Sequence, residues 1–214
     1  MANEFRIAVL ISGGGTTLRN LINCKSNGKL EAEICQVISS NQHAKGNQFA
    51  IDHSIPLEIV GRRDFESDQD FSTAIFEICR EHKIDLVVMG GFLKLLVIPE
   101  DFENRVINIH PSLIPAFSGA GFYGMKVHQA VVDFGCQVSG CTVHFVDNQY
   151  DNGPIIAQKP VSVEPSDSAT SLQQRVFEEE CQVYPHIINL LANGQIRVDQ
   201  RKVIVLNDVP AVKD

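Results

Sequence analysis

Asn108 and His110 stand two residues apart at the end of an apolar run, Arg105-Val-Ile-Asn-Ile, and Pro111 follows them. In an extended segment residues i and i+2 project from the same face. An amide donor and a group that exchanges a proton near neutral pH therefore point together, and Pro111 ends the strand. That pairing suits reactions in which an oxyanion develops at a carbonyl carbon. The alternative is a strand end whose Asn and His are merely satisfied, and spacing alone favours that alternative; the rest of the chain reverses it.

A second motif, Ser12-Gly-Gly-Gly15-Thr16-Thr17, follows the apolar run Phe5 to Ile11 and precedes Leu18, Leu21 and Ile22 at helical spacing. Successive backbone N–H groups there can form an anion nest, and the helix dipole adds to the attraction. Thr16 and Thr17 are expected to cap the helix and to offer hydroxyls to phosphate oxygens. The dinucleotide pattern fails: Leu18 stands where its third glycine belongs, and the second strand ends Ile38-Ser39-Ser40-Asn41 with no acid for a ribose diol. No Gly-Lys-Ser/Thr is present either, so a single phosphate fits best.

Other chemistry-bearing residues have bland defaults. The histidines (His43, His53, His82, His110, His128, His144 and His186) show no His-Glu-x-x-His or other tight ligand spacing, so no metal is expected. His144 alternates with Val143 and Phe145, which makes it structural by default and a candidate to line a site. Asp151 lies in Tyr150-Asp-Asn-Gly-Pro, a turn signature in which an Asp caps its own backbone. Beside a histidine it would instead orient the imidazole and favour its charged form. Leu172, Val176, Val183, Ile187 and Leu190 form the apolar stripe of a long helix; Glu178 falls opposite the stripe, and Glu179 and Glu180 flank its edges.

The elements that must carry these groups alternate. Apolar runs at Phe5–Ile11, Ile34–Ser39, Leu57–Val60 and Ile84–Met89 alternate with helical patterns after Gly15, over His43–His53 and around Phe71–Cys79. This predicts βαβ units, a mostly parallel sheet and a doubly wound, Rossmann-like α/β fold. In the second half, Val106–Ile109 is a strand, 115–125 a glycine-rich loop and Val127–Phe134 a helix. Val138–Val146 and Ile155–Val163 are long strands able to pair antiparallel. A helix runs from about Ser168 to Asn193, kinked at Pro185 and stopped at Gly194. A terminal hairpin follows at Ile196–Val198 and Val203–Val205. The 214 residues form one domain: a phosphate-binding βα half at 1–100, a second half at 101–206 and a tail at 207–214.

A net charge of −8, from 18 basic and 26 acidic residues, argues against nucleic acid as the partner. No signal peptide is evident, and no apolar run reaches the ~18 residues that a membrane helix needs. The six cysteines form no Cys-x-x-Cys pair and read as buried, reduced thiols of a cytoplasmic protein.

Taken together, VLISGGGTTL (9–18), VVMGGFLKLL (87–96), INIHPSLIP (107–115), GCTVHFVDNQYDNGPIIAQ (140–158) and the 172–185 helix resemble the folate-dependent formyltransferases, and within them the glycinamide ribonucleotide transformylase family. The resemblance implies 10-formyltetrahydrofolate as formyl donor and co-substrate, and the amine of 5'-phosphoribosylglycinamide as acceptor, as in purine synthesis. It implies catalytic roles for Asn108, His110 and Asp151. It implies phosphate binding by Gly15, Thr16 and Thr17, ribonucleotide contact by Glu180, and folate contact by Leu93, Lys94, Leu95, Leu96 and Asn108. Lys94 and Cys181 stand where many relatives have Arg and His, and Asp68 where many have a folate-contacting Arg, for which Arg62 or Arg63 is the substitute at hand. The 115–126 loop is longer than in the shortest relatives. Relatives acting on initiator tRNA or hydrolysing folate generally carry a further domain, so length favours the ribonucleotide enzyme, as monomer or homodimer. A folate-dependent formyltransferase or deformylase with another acceptor, a metal-dependent hydrolase and a non-catalytic phosphate- or nucleotide-binding module are the rival readings.

Overall fold

Ile7, Val9 and Ile11 of β1 (Arg6–Ile11) face one side of a central sheet and Ala8 and Leu10 the other, and all five are fully shielded from solvent. A strand apolar on both faces needs helices on both faces. The computed structural model describes residues 4–206, so the tail expected at 207–214 lies outside the described residues. After β1 come α1 (Thr16–Ser26), β2 (Glu33–Ser39), α2 (Asn47–Asp52), β3 (Leu57–Ile59), α3 (Asp68–Glu81), β4 (Leu86–Met89), β5 (Val106–His110), α4 (Met125–Phe134), β6 (Val138–Phe145), β7 (Ile155–Ser162), α5 (Ala169–Ala192), β8 (Ile196–Asp199) and β9 (Lys202–Val205).

Seven strands form one sheet in the order β3-β2-β1-β4-β5-β6-β7. The pairings from β3 through β5 are parallel, and β6 and β7 add antiparallel. This is the doubly wound α/β fold with antiparallel additions that the sequence predicts. β8 and β9 make the separate hairpin expected at the end, and β9 lies against β7. α1, α4 and α5 bury their apolar faces on the Ile7 side of the sheet, α3 on the Leu10 side.

Local chemistry explains the helix ends. The Ser67 hydroxyl caps α3 by accepting from the Asp70 N–H at 3.1 Å. Ser168 and Ser171 form a reciprocal capping box at the start of α5, and Gly194 follows its end at φ 65°. Pro185 sits inside α5, which runs unbroken past it. Its missing N–H frees the Cys181 carbonyl. That carbonyl accepts instead from Asn20 Nδ2 of α1 at 3.0 Å, which ties the two helices together.

Three expectations are corrected. α2 starts at Asn47 rather than His43. The preceding residues turn instead, because Asn47 Nδ2 donates to the carbonyls of Asn41 and Gln42, each at 3.1 Å, and Gly46 N donates to Gly13 O at 2.9 Å. Of the six free cysteines only Cys79 and Cys141 are buried; the other four are half-buried. The cap of α1 is Gly15 in the left-handed conformation, so neither Thr16 nor Thr17 caps it.

The sheet's two edges differ from its centre. β3 has three residues, and β7 carries exposed Lys159 and Pro160, the latter opposite Gly140. Proline is tolerated there because its nitrogen faces away from the ladder. Between β1 and β4 the strand order reverses, which opens a crevice at the carboxyl ends of the strands.

Candidate active site

The glycine loop joins β1 to α1 at the crevice, and of its residues Thr16 and Thr17, not Gly15, line the main cavity. Gly15 has φ 69°, and a Cβ there would lie 2.5 Å from Gly46 Cα, so no other residue fits without moving the backbone. Thr16 and Thr17 occupy the first positions of α1 and line a cavity of about 240 Å³. Gly15→Ala is expected to cost roughly 1–2 kcal/mol in left-handed backbone strain besides the clash. A fall in melting temperature of roughly 2–8 °C or more, followed by circular dichroism, is the check.

β5 brings the opening pair to the same cavity. Asn108 and His110 share the parity of Val106 and project together at the strand end, and both line the cavity with Pro111. His110 Nε2 donates to the Phe117 carbonyl at 2.9 Å. His110 Nδ1 faces Asp151 Oδ2 at 3.5 Å, longer than an ordinary hydrogen bond, and both side chains are nearly buried. Asp151 does not cap its own turn. Asp147 does that, accepting from Gln149 N at 2.9 Å and Asn152 Nδ2 at 2.7 Å. Asp151 Oδ2 instead accepts from Gly119 N at 2.8 Å, 32 residues away in sequence. The glycine-rich loop 115–125 therefore holds both members of the pair, His110 by a carbonyl and Asp151 by an amide.

α5 forms the opposite wall, where Gln173, Phe177 and Glu180 face the cavity along one side of the helix. Of the two stripe-edge glutamates it is Glu180 that turns inward. Burial pushes its carboxyl up to about 8, and no hydrogen bond or ion pair reaches it among the described residues. A folded-state pKa above the unfolded value of about 4.3 means that burying Glu180 is without penalty below that pH, and that stability falls as pH rises through the folded value. Glu180→Gln is expected to flatten the decline of melting temperature between about pH 5 and pH 8. An unchanged slope would show that another group controls it.

The segment after β4 divides. Leu93 and Lys94 are accessible and border a second cavity of about 600 Å³ with Ser12, Ser40, His43 and Arg63. Leu95 and Leu96 line a small pocket with Asn108, His144 and Asp151, but Leu96 is only 1 % exposed and packs mainly with the α3-side core. The arginine candidates separate as well. Arg62 is committed to Asp68 and to the Phe65 carbonyl, whereas Arg63 has no hydrogen bond or ion pair among the described residues.

Two further histidines, His144 and His128, border the cluster. His144 is the register partner of Asn108 across β5 and β6, with its Nε2 3.3 Å from Asn108 Nδ2 and 3.8 Å from Asp151 Oδ1. Burial pushes its pKa down. His128 on α4 lines the main cavity with Nδ1 unpartnered, its pKa pushed down to about 4 by burial and then by the nearby His110. Strand alternation makes His144 a candidate lining residue, and its register partner Asn108 is what the sequence does not reveal. No group of three metal-ligating side chains occurs among the described residues, and no helix there is long and apolar enough to cross a membrane.

Residues 5–188 match the formyl transferase family. The chain is 36% identical over 193 residues to the chloroplastic phosphoribosylglycinamide formyltransferase of Vigna unguiculata, covering 89% of this chain and 62% of that protein, so it spans less than two thirds of that relative. It is 34% identical over 195 residues to the phosphoribosylglycinamide formyltransferase of Haemophilus influenzae, covering 90% of each. The crystal structure of glycinamide ribonucleotide transformylase 1 from Symbiobacterium toebii superposes with a TM-score of 0.89 at 34% identity, over 97% of this chain and 96% of that one. With the family match running from β1 into α5, the chain belongs to the formyl transferase family, in the group that holds the phosphoribosylglycinamide formyltransferases.

Proposed function

We propose that this chain transfers a formyl group from 10-formyltetrahydrofolate to the amine of 5'-phosphoribosylglycinamide. One observation carries the reading: Thr16 and Thr17 of the anion-binding loop line the same cavity as Asn108, His110 and Asp151. A phosphorylated amine anchored on the loop would thus reach the oxyanion-stabilising cluster without leaving the cavity. Glu180 on the facing wall offers a carboxyl to the sugar hydroxyls.

The neutral amine attacks the formyl carbon, the new C–N bond forms, and the carbonyl electrons move onto oxygen. The Asn108 amide donates to that oxygen. The bond to the folate nitrogen then breaks, the attacking nitrogen loses a proton and the departing nitrogen gains one. His110 Nε2 is tied to Phe117, so the proton it exchanges is the one on Nδ1, the nitrogen facing Asp151. No side chain needs to be acylated and no metal takes part.

On the donor side, Arg63 and Lys94 bordering the second cavity support folate carboxylate binding there, which makes Arg63, not Arg62, the substitute for the absent family arginine. Arg63→Ala is expected to raise KM for the folate roughly five- to tenfold at low salt and to leave kcat within about twofold. An unchanged KM sends the role to Lys94. The halves at 1–100 and 101–206 work as one domain, and the unpaired cysteines suit a cytoplasmic enzyme.

The test is a spectrophotometric assay of purified protein with 10-formyltetrahydrofolate, in chelator, with and without the ribonucleotide. Product that requires the ribonucleotide supports the transferase. Equal product without it supports a deformylase and ends this reading, and no product in either case leaves a binding module.

A further inference from the structure

We propose that His144 is a positioning residue: it fixes the direction of the Asn108 amide, so that the NH2 end rather than the carbonyl end meets the developing oxyanion. The inference rests on the oxyanion role of Asn108 given above and extends it to the residue that makes that role possible.

An asparagine side chain has two chemically opposite ends of nearly identical shape. Rotated by half a turn, Asn108 would present a carbonyl oxygen to a substrate oxygen that is gaining negative charge, and would oppose the reaction. Something must choose the orientation. The register of β5 and β6 sets Asn108 directly across from His144, with Asn108 Nδ2 3.3 Å from His144 Nε2. The other ring nitrogen, Nδ1, lies 2.8 Å from the Phe145 carbonyl, which can only accept, so Nδ1 carries the proton. In the neutral ring Nε2 is then a bare acceptor. It takes one hydrogen of the Asn108 NH2 and repels the Asn108 oxygen. The second NH2 hydrogen stays free for the cavity that Asn108 lines.

The surroundings keep the ring in that state. His144 is 1 % exposed, and burial disfavours its imidazolium more than the Phe145 carbonyl and the carboxylates of Asp151 and Asp147 favour it, with His110 adding to the disfavour. A protonated Nε2 would donate instead of accept and would select the wrong amide orientation. His144 need not touch a substrate to matter, because the tautomer fixed by Phe145 propagates through Nε2 to the donor that does.

A double-mutant cycle tests this. His144→Ala is expected to lower kcat roughly 10- to 100-fold with KM values within about threefold. In an Asn108→Ala background the same change is expected to cost less than about threefold, since no amide is left to orient. His144→Gln, whose amide oxygen also accepts, is expected to keep kcat within about tenfold of wild type and serves if the alanine variant does not fold. A purely structural histidine would give equal losses in both backgrounds, and that result overturns the proposal while leaving the transferase reading intact. Full activity of Asn108→Ala would instead remove the oxyanion role and this inference with it.

Discussion

An Asn108→Ala enzyme is expected to turn over roughly 100- to 1,000-fold more slowly than wild type, with KM for both substrates within a few-fold. The amide is one of few neutral donors that the cavity offers at the β5 end, and its contribution arises only as charge develops on the formyl oxygen. An interaction made only in the transition state lowers kcat and kcat/KM together. The side chain is partly accessible and its sole protein partner among the described residues is His144, so truncation leaves one buried acceptor unsatisfied rather than a collapsed core. Steady-state kinetics beside a far-ultraviolet spectrum separates the two effects. Turnover near the wild-type rate would remove Asn108 from the chemistry.

Asp151→Asn is expected to lower kcat by roughly 100- to 10,000-fold, the range for losing the carboxylate that orients a catalytic imidazole. The substitution is nearly isosteric. Its amide oxygen can still accept from Gly119 N, now at 2.8 Å from Oδ2, so the loop stays anchored. What disappears is the negative charge between His110 and His144, 3.5 and 3.8 Å away. Steady-state kinetics beside a far-ultraviolet spectrum is the measurement, since a lost orienting charge lowers kcat in a chain that still folds. A variant with the wild-type rate would make Asp151 a turn residue after all.

Much of this is legible in the sequence. Strands such as Ile7–Ile11 and Val106–His110 declare themselves through unbroken apolar runs, and α5 through its stripe, its serine cap and Gly194. The pair Asn108 and His110 followed from strand periodicity alone. The start of α2 did not, because it is decided by a backbone hydrogen bond from Gly46 to Gly13, 33 residues earlier, which no local propensity encodes. Asp151 reads as a self-capping turn residue until Gly119 arrives from another loop. His144 looks structural until the β5–β6 register sets it opposite Asn108. In each case the missing information was a tertiary partner, and local rules supplied the default that the partner overrode.

The margins of the sheet have a consequence for how the protein behaves among many copies of itself. A strand's outer row of N–H and C=O groups is a template on which another chain can polymerise. Here one margin ends after the three residues of β3 and the other is interrupted by Pro160 beside the charged Lys159, with β9 lying against the same strand. Neither side offers a continuous ladder for a newcomer to extend. Fibrillar, edge-to-edge aggregation through the seven-stranded sheet is thereby discouraged at both ends.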